Sequence, residues 1–153
     1  MTATAEAPIQ AAPSEPLTSF TAEYPYAPES AKLARWLVDA ALASWGLFDL
    51  IDNAVLVANE LMSNAIATGC QRKIGFSIER LGESLIKVEV SDGSCFLPVF
   101  VDADLPADAN HTPTRGRGLL VVNSLSHRWG LDLHARGKVV WAELRLGRRP
   151  SQY

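Results

Sequence analysis

The hydrophobic and polar positions along the chain predict three helices and five strands. Apolar residues spaced by three and four positions predict helices over residues 29–45 and about 50–68, and glycines near residue 116 open a third helix. Alternation of apolar and polar residues predicts the strands, which cover residues 17–24, 72–80, 84–91, 128–133 and 138–146. Short turns join the last four strands into two hairpins.

The second helix carries two polar residues at the border of its apolar face. Asn64 lies at the edge of a wide apolar arc that runs from Ile51 to Ile66, and Glu60 lies just beyond it, one turn earlier. A carboxylate and an amide placed there could meet a hydrated magnesium ion, which keeps its waters and takes few protein ligands. The helix alone favours a plainer alternative, in which both residues are solvated on a surface helix.

Asp92 follows a strand whose alternation places it on the apolar side. Ile86, Val88 and Val90 share one face of this strand, and the next position on the same face is Asp92. A carboxylate at the buried end of a strand needs hydrogen-bond donors, or it loses its charge. Gly93 lets the backbone turn sharply or lets a ligand approach closely. An ordinary Asp-Gly turn that ends a strand explains the pair equally well.

A long segment without clear period precedes the third helix. Residues 94–115 are typical of a lid, a binding loop or a disordered segment. The sequence Gly116-Arg117-Gly118-Leu119 follows, where the free N–H groups and the positive end of a helix dipole suit a phosphate. Its spacing fits neither of the common glycine-rich phosphate motifs, so a flexible entry to a short helix, with its arginines in water, is the alternative.

Composition limits the function classes and the compartment. The 153 residues carry a net charge of −3 without a basic run, which argues against nucleic acid as a direct partner but not against a nucleotide. Because no apolar run is long enough for a membrane span and no signal-peptide pattern is present, we expect no membrane contact. Cys70 and Cys95 are isolated thiols without metal-ligand spacing, so we expect both to be reduced, in a cytoplasm. We expect a disordered tail over residues 1–16, a domain over 17–147 and a short polar tail over 148–153.

The order of these motifs resembles the GHKL ATP-binding family, and within it the branch of anti-sigma-factor serine kinases, which includes short stand-alone regulatory proteins of actinobacteria. An Asn-bearing helix, a strand that ends in Asp-Gly, a lid-like loop and a glycine motif at a helix start follow one another at the family's spacing. The stretches that carry the resemblance are residues 60–65, 88–94, 116–122, 129–130 and 137–144. The resemblance implies an α+β fold, a two-layer α/β sandwich in which a mixed, mostly antiparallel sheet has helices on one face.

The resemblance also implies roles for individual residues. Asn64 would coordinate a Mg²⁺ ion that bridges the phosphates of ATP, and Glu60 would be the general base that acts on the attacking hydroxyl. Asp92 would accept a hydrogen bond from the adenine amino group, and Gly93 would let the base lie close. The phosphates would be held by the glycine motif at the helix start, whose residues are Gly116, Arg117, Gly118 and Leu119.

The function implied is transfer of the ATP γ-phosphate to a serine of an antagonist (anti-anti-sigma) protein, together with sequestration of a sigma factor. Related proteins often dimerise, so a homodimer is also an expectation. Departures from the family pattern leave two alternatives open, a non-catalytic or nucleotide-free interaction module and a scaffold with a vestigial cleft. Val139 stands where the family often has Thr, the glycine motif after Asp92 is short, and Ala67 and Thr68 replace basic or His residues.

Overall fold

In the computed structural model of the chain, residues 18–68, 73–93 and 113–147 are described, and only the backbone is described over 113–118. The predicted tails, the two cysteines Cys70 and Cys95, and the segment 94–112 of the predicted lid lie outside the described residues. No helix among the described ranges is long and apolar enough to cross a membrane.

Each predicted helix and strand is present, with ends that move by a few residues. A single 3₁₀ turn, Phe48–Leu50, precedes the second helix. In chain order the elements are β1 (Ser19–Tyr24), α1 (Pro28–Ser44), α2 (Ile51–Ala67), β2 (Ile74–Arg80), β3 (Leu85–Asp92), α3 (Pro113–Leu125), β4 (Arg128–His134) and β5 (Gly137–Arg145).

The five strands form one sheet in the order β1-β2-β3-β5-β4, and every pairing between the described strands is antiparallel. The expected mixed sheet is therefore wrong for this part of the chain. Two hairpins account for two of the pairings, because neighbours joined by a tight turn must run in opposite directions. The last strand, β5, lies between β3 and β4 and runs antiparallel to both.

The helices pack on one face of this sheet and bury the apolar side of alternate strand positions. The face of α2 that the sequence predicts is buried from Ala54 to Ala65 and lies against β3 and β5. Alternating core residues of the central strands complete the contact, namely Ile74, Phe76, Ile78, Ile86, Val88, Val90, Val140, Ala142 and Leu144. This arrangement confirms the two-layer sandwich, and it places the end of β3 beside α2 and α3.

The third helix begins earlier than the sequence predicts. Its first residue is Pro113, so the glycine motif lies in the first two turns instead of preceding them. Proline is favoured in a first helical turn because its fixed φ is already helical and its missing N–H needs no partner. Counted from Pro113, Gly116 is the fourth helical residue, so the amides of both Gly116 and Gly118 lie beyond the N–H groups at the helix start that have no partner within the helix.

On the face of the sheet away from the helices, polar and aromatic side chains of β4 and β5 contact one another. Arg128 donates two hydrogen bonds to Glu143, of 3.0 and 2.8 Å, and the indole of Trp141 lies between Lys87 and Arg128. The hydrogen bonds from Arg128 hold the pKa of Glu143 below its usual value, although burial acts in the opposite direction. A Cβ at Gly130 would lie 2.7 Å from the Trp141 ring, so only a glycine there leaves room for the indole.

Candidate functional site

Asp92 is the last residue of β3 and is 2% exposed. It faces the helical layer, as alternation with Ile86, Val88 and Val90 predicts, and this part of the prediction is confirmed. A buried carboxylate is costly unless several donors surround it, so its partners define what this position does.

One oxygen of Asp92 is bound by hydroxyl groups. The Tyr26 hydroxyl donates a 2.5 Å hydrogen bond to Oδ1, and the Thr68 hydroxyl lies 3.4 Å from the same oxygen. The Tyr26 oxygen also accepts a 3.1 Å hydrogen bond from the backbone N–H of Gly93. The connection before α1, the end of α2 and the end of β3 therefore meet at this carboxylate.

The other oxygen faces a lysine on the neighbouring strand. Lys138 is directly opposite Asp92 in the register of β3 and β5, and its Nζ lies 3.2 Å from Asp92 Oδ2. Both side chains are almost wholly buried, at 4% and 1% exposure. Removing either charge of such a buried ion pair is destabilising, because the remaining charge is then buried without a partner.

Asp92 and Lys138 line a small hollow between the sheet and the helices. Asn64 of α2 and Leu119 of α3 line it too, so three residues predicted for the site, Asn64, Asp92 and Leu119, meet there. Its volume is about 10 Å³, which is room for about one water molecule and not for a nucleobase. The remaining described lining is apolar and consists of Leu61, Ala65, Val90 and Val140.

The other predicted site residues lie around this hollow without lining it. Glu60 is partly exposed on α2, one turn before Asn64, and Gly93 is half-buried next to Asp92. Gly116, Arg117 and Gly118 follow one another in the backbone of α3, which packs on α2. Their roles toward a nucleotide stay predictions.

A magnesium ion fits this donor set only together with phosphates. No group of three or more His, Cys, Asp and Glu residues within the described ranges could hold an ion by itself. Magnesium typically takes one or two protein oxygens and completes its shell with phosphate and water, so the single amide of Asn64 is compatible with it.

Sequence reasoning missed Lys138 and Tyr26. A signal for Lys138 was available, because the alternation that aligns Val140 and Ala142 on the apolar face also places Lys138 there, opposite the end of β3. Val139, which stands where the family often has Thr, belongs to the opposite set of β5 positions. Tyr26 gave no signal, since it is 66 residues from Asp92 in the chain.

Gly137 lets the backbone of β5 approach the end of β3 closely. Its φ is +145°, and a Cβ on it would lie 2.1 Å from the backbone oxygen of Asp92 and 2.9 Å from the Cα of Gly93. We expect Gly137→Ala to lower the free energy of unfolding by at least about 2 kcal/mol, because neither backbone can yield without disturbing the pairing of β3 and β5. Urea denaturation followed by circular dichroism measures the change.

Gly82→Ala is the matched control for this substitution. Gly82 lies in the turn between β2 and β3, where the nearest atom to a new Cβ is 4.0 Å away. Its expected change in unfolding free energy is within about 0.5 kcal/mol. If Gly137→Ala were no more harmful than this control, the close approach at Asp92 would not be a constraint on the fold.

Comparison with protein-family models matches residues 24–144 to the family described as histidine kinase-like ATPase domain. The matched range runs from the last residue of β1 into β5 and includes each residue that lines the hollow. Comparison with curated proteins gives no match.

Proposed function

The chain belongs to the family of histidine kinase-like ATPase domains, and from this membership we propose that it is an ATP-binding regulatory kinase. It transfers the γ-phosphate of ATP to a serine of an antagonist protein, and in the absence of that protein it sequesters a sigma factor. The observation that carries the proposal is the hollow where Asp92 and Asn64 meet, because a base-binding carboxylate and a metal-binding amide must serve the same nucleotide.

Asp92 is suited to the adenine end of the nucleotide. Its carboxylate is buried at the end of a strand, where a hydrogen bond from an exocyclic amino group competes little with water. The apolar lining from α2, β3 and β5 would cover the faces of the ring. Gly93 follows directly, and its lack of a side chain leaves room for the edge of the base.

Asn64 and Glu60 are suited to the other end of the nucleotide. Asn64 would hold Mg²⁺, which when bound neutralises negative charge on the phosphates. Glu60 is partly exposed one turn before Asn64 and does not line the hollow, so its carboxylate is accessible to a hydroxyl of a second protein. In the transfer, the serine oxygen forms a bond to the γ-phosphorus, the bond from that phosphorus to the β-phosphate oxygen breaks, Glu60 takes the serine proton, and ADP leaves.

One observation favours a second candidate, a protein-interaction module that does not turn over ATP. Both oxygens of Asp92 already have partners within the chain, Tyr26 on one side and Lys138 on the other. A site arranged in this way is stable without a nucleotide, and its output would then be contact with a partner protein alone.

Calorimetric titration with ATP and magnesium tests the proposal. We expect saturable binding of one ATP per chain and much weaker binding of CTP, which lacks a purine ring. Incubation with γ-labelled ATP and small candidate antagonist proteins should then label a serine of one of them. ATP binding without any labelling of a partner that forms a complex would favour the second candidate, and a complete lack of ATP binding would contradict the proposed function.

A further inference from the structure

We propose that Lys138 is an internal competitor of the nucleotide, which closes the base pocket by pairing with Asp92 until ATP displaces it. The inference rests on the proposed function, because it assigns the adenine amino group to Asp92. It adds a residue of this chain that sets the affinity of the site, and with it the nucleotide concentration at which the site fills.

The contacts of Asp92 provide the first argument. Tyr26 occupies Oδ1 at 2.5 Å, and the ammonium of Lys138 lies 3.2 Å from Oδ2. A carboxylate oxygen can accept more than one hydrogen bond, but an incoming amino group must approach from the hollow, which Lys138 and Asp92 line together. The ammonium of Lys138 and an incoming base would therefore compete for the same carboxylate beside the same hollow.

The available space provides the second argument. The hollow holds about one water molecule, and Lys138, at 4% exposure, forms part of its wall. Lys138 is the second residue of β5, so it lies at the end of the sheet. A lysine at such a position can swing its charged end into water while its stem stays in contact with the protein.

The two arguments predict how Lys138 affects binding. When the competent state of a site is only partly populated, the apparent dissociation constant rises by the inverse of that population. An ion pair that must open before the base enters reduces the competent population in this way. Removal of the lysine should therefore tighten binding, whereas removal of a residue that contacts the base would weaken it.

Lys138→Met tests this directly, because methionine keeps the length of the stem and removes the charge. By calorimetry, we expect ATP and adenosine to bind this variant at least about tenfold more tightly than they bind the parent chain. Adenosine is included because it lacks phosphates, so a gain with adenosine reports on the base pocket alone.

Two control variants distinguish loss of the ion pair with Asp92 from loss of a positive charge in general. Lys138→Arg retains a cation opposite Asp92, and Lys87→Met removes a cation that pairs with Glu89 at 2.7 Å on the other face of the sheet. Neither should bind more tightly than the parent. If Lys138→Met binds ATP no better than the parent while the parent binds it, the inference fails and the proposed function stands. If neither chain binds ATP, both fail.

A second measurement uses the unaltered chain and does not depend on the folding of any variant. Acylation of amines followed by mass spectrometry should modify Lys138 slowly without nucleotide, because it is buried, and several-fold faster with saturating ATP and magnesium. Lys32, which is exposed, and Lys87 should react at the same rate in both conditions. Continued protection of Lys138 in a chain that calorimetry shows to be saturated with ATP would overturn the inference.

Discussion

Asp92→Asn is expected to weaken ATP binding by roughly 10- to 100-fold, the largest effect on affinity that the site predicts. A hydrogen bond to a charged group contributes about 1.5–3 kcal/mol, and about 1.4 kcal/mol corresponds to a factor of ten. The same substitution leaves the buried ammonium of Lys138 without its carboxylate. We therefore also expect it to lower the free energy of unfolding by about 3 kcal/mol.

This loss of stability has to be separated from the loss of binding. The double variant Asp92→Asn with Lys138→Met removes both charges of the pair, and such neutral replacements often cost little. It should recover most of the stability that the single variant loses. Compared with Lys138→Met alone, from which it differs only at residue 92, it should still bind ATP roughly 10- to 100-fold more weakly.

Calorimetric titration of the four chains, with urea denaturation of each, completes the cycle for residues 92 and 138. Equal ATP affinity of the double variant and Lys138→Met would show that the base does not bind to Asp92. Equal stability of the four chains would show that the buried ion pair contributes little to the fold. The two outcomes are independent of each other, since one is read from binding and the other from unfolding.

Periodicity explains the parts of the fold and the site that the sequence predicts. The period of two in β3 places Asp92 on the buried face, and the helical period in α2 places Asn64 at the edge of an apolar arc. Both statements concern residues within one element, where geometry is fixed by the backbone. They are sufficient to predict a carboxylate and an amide on inner surfaces.

Other features depend on how separate elements meet, and the local pattern does not contain that information. The pairing of Asp92 with Lys138 requires β5 to lie next to β3 in one particular register, although the chain between them contains α3 and β4. The hydrogen bond from Tyr26 requires α1 to begin beside the end of β3. The all-antiparallel sheet follows from the same placement of β5, which no motif encodes.

The start of α3 shows a different limit. Prolines and polar residues around 98–113 are typical of an irregular segment, and the prediction extended that segment to Arg115. Proline is common both in loops and at the first position of a helix. The sequence around Pro113 therefore favours a loop and a helix start equally. The structure places the helix start at Pro113, with the glycine motif inside the first two turns.

In the proposed function, the hollow separates nucleotide binding from phosphate transfer. Its described lining includes Asn64 and Asp92 but not Glu60, although Glu60 is only one turn from Asn64 on the same helix. Substitutions at Asp92 should therefore act on binding, and substitutions at Glu60 should act on transfer. The proposed transfer needs this division, because the serine of an antagonist protein would arrive from outside the pocket that holds the base.

Glu60→Gln is accordingly expected to reduce the proposed phosphoryl transfer to an antagonist protein by at least about 100-fold, the range that loss of a general base produces. ATP affinity should stay within about twofold of the parent, because the side chain does not line the hollow. Transfer of label from γ-labelled ATP measures the first quantity and calorimetry the second. Glutamine keeps the shape of the side chain but cannot take the serine proton, so the loss is chemical.

Asp52→Asn is the matched control, since Asp52 is an exposed carboxylate at the other end of α2. Its transfer rate should equal that of the parent. A Glu60→Gln chain that transfers phosphate at the parent's rate would remove Glu60 from the mechanism, because no base is then needed at that position. A Glu60→Gln chain that loses ATP binding together with transfer would instead place Glu60 in contact with the nucleotide. The assignment of binding to Asp92 and of transfer to Glu60 would then be wrong.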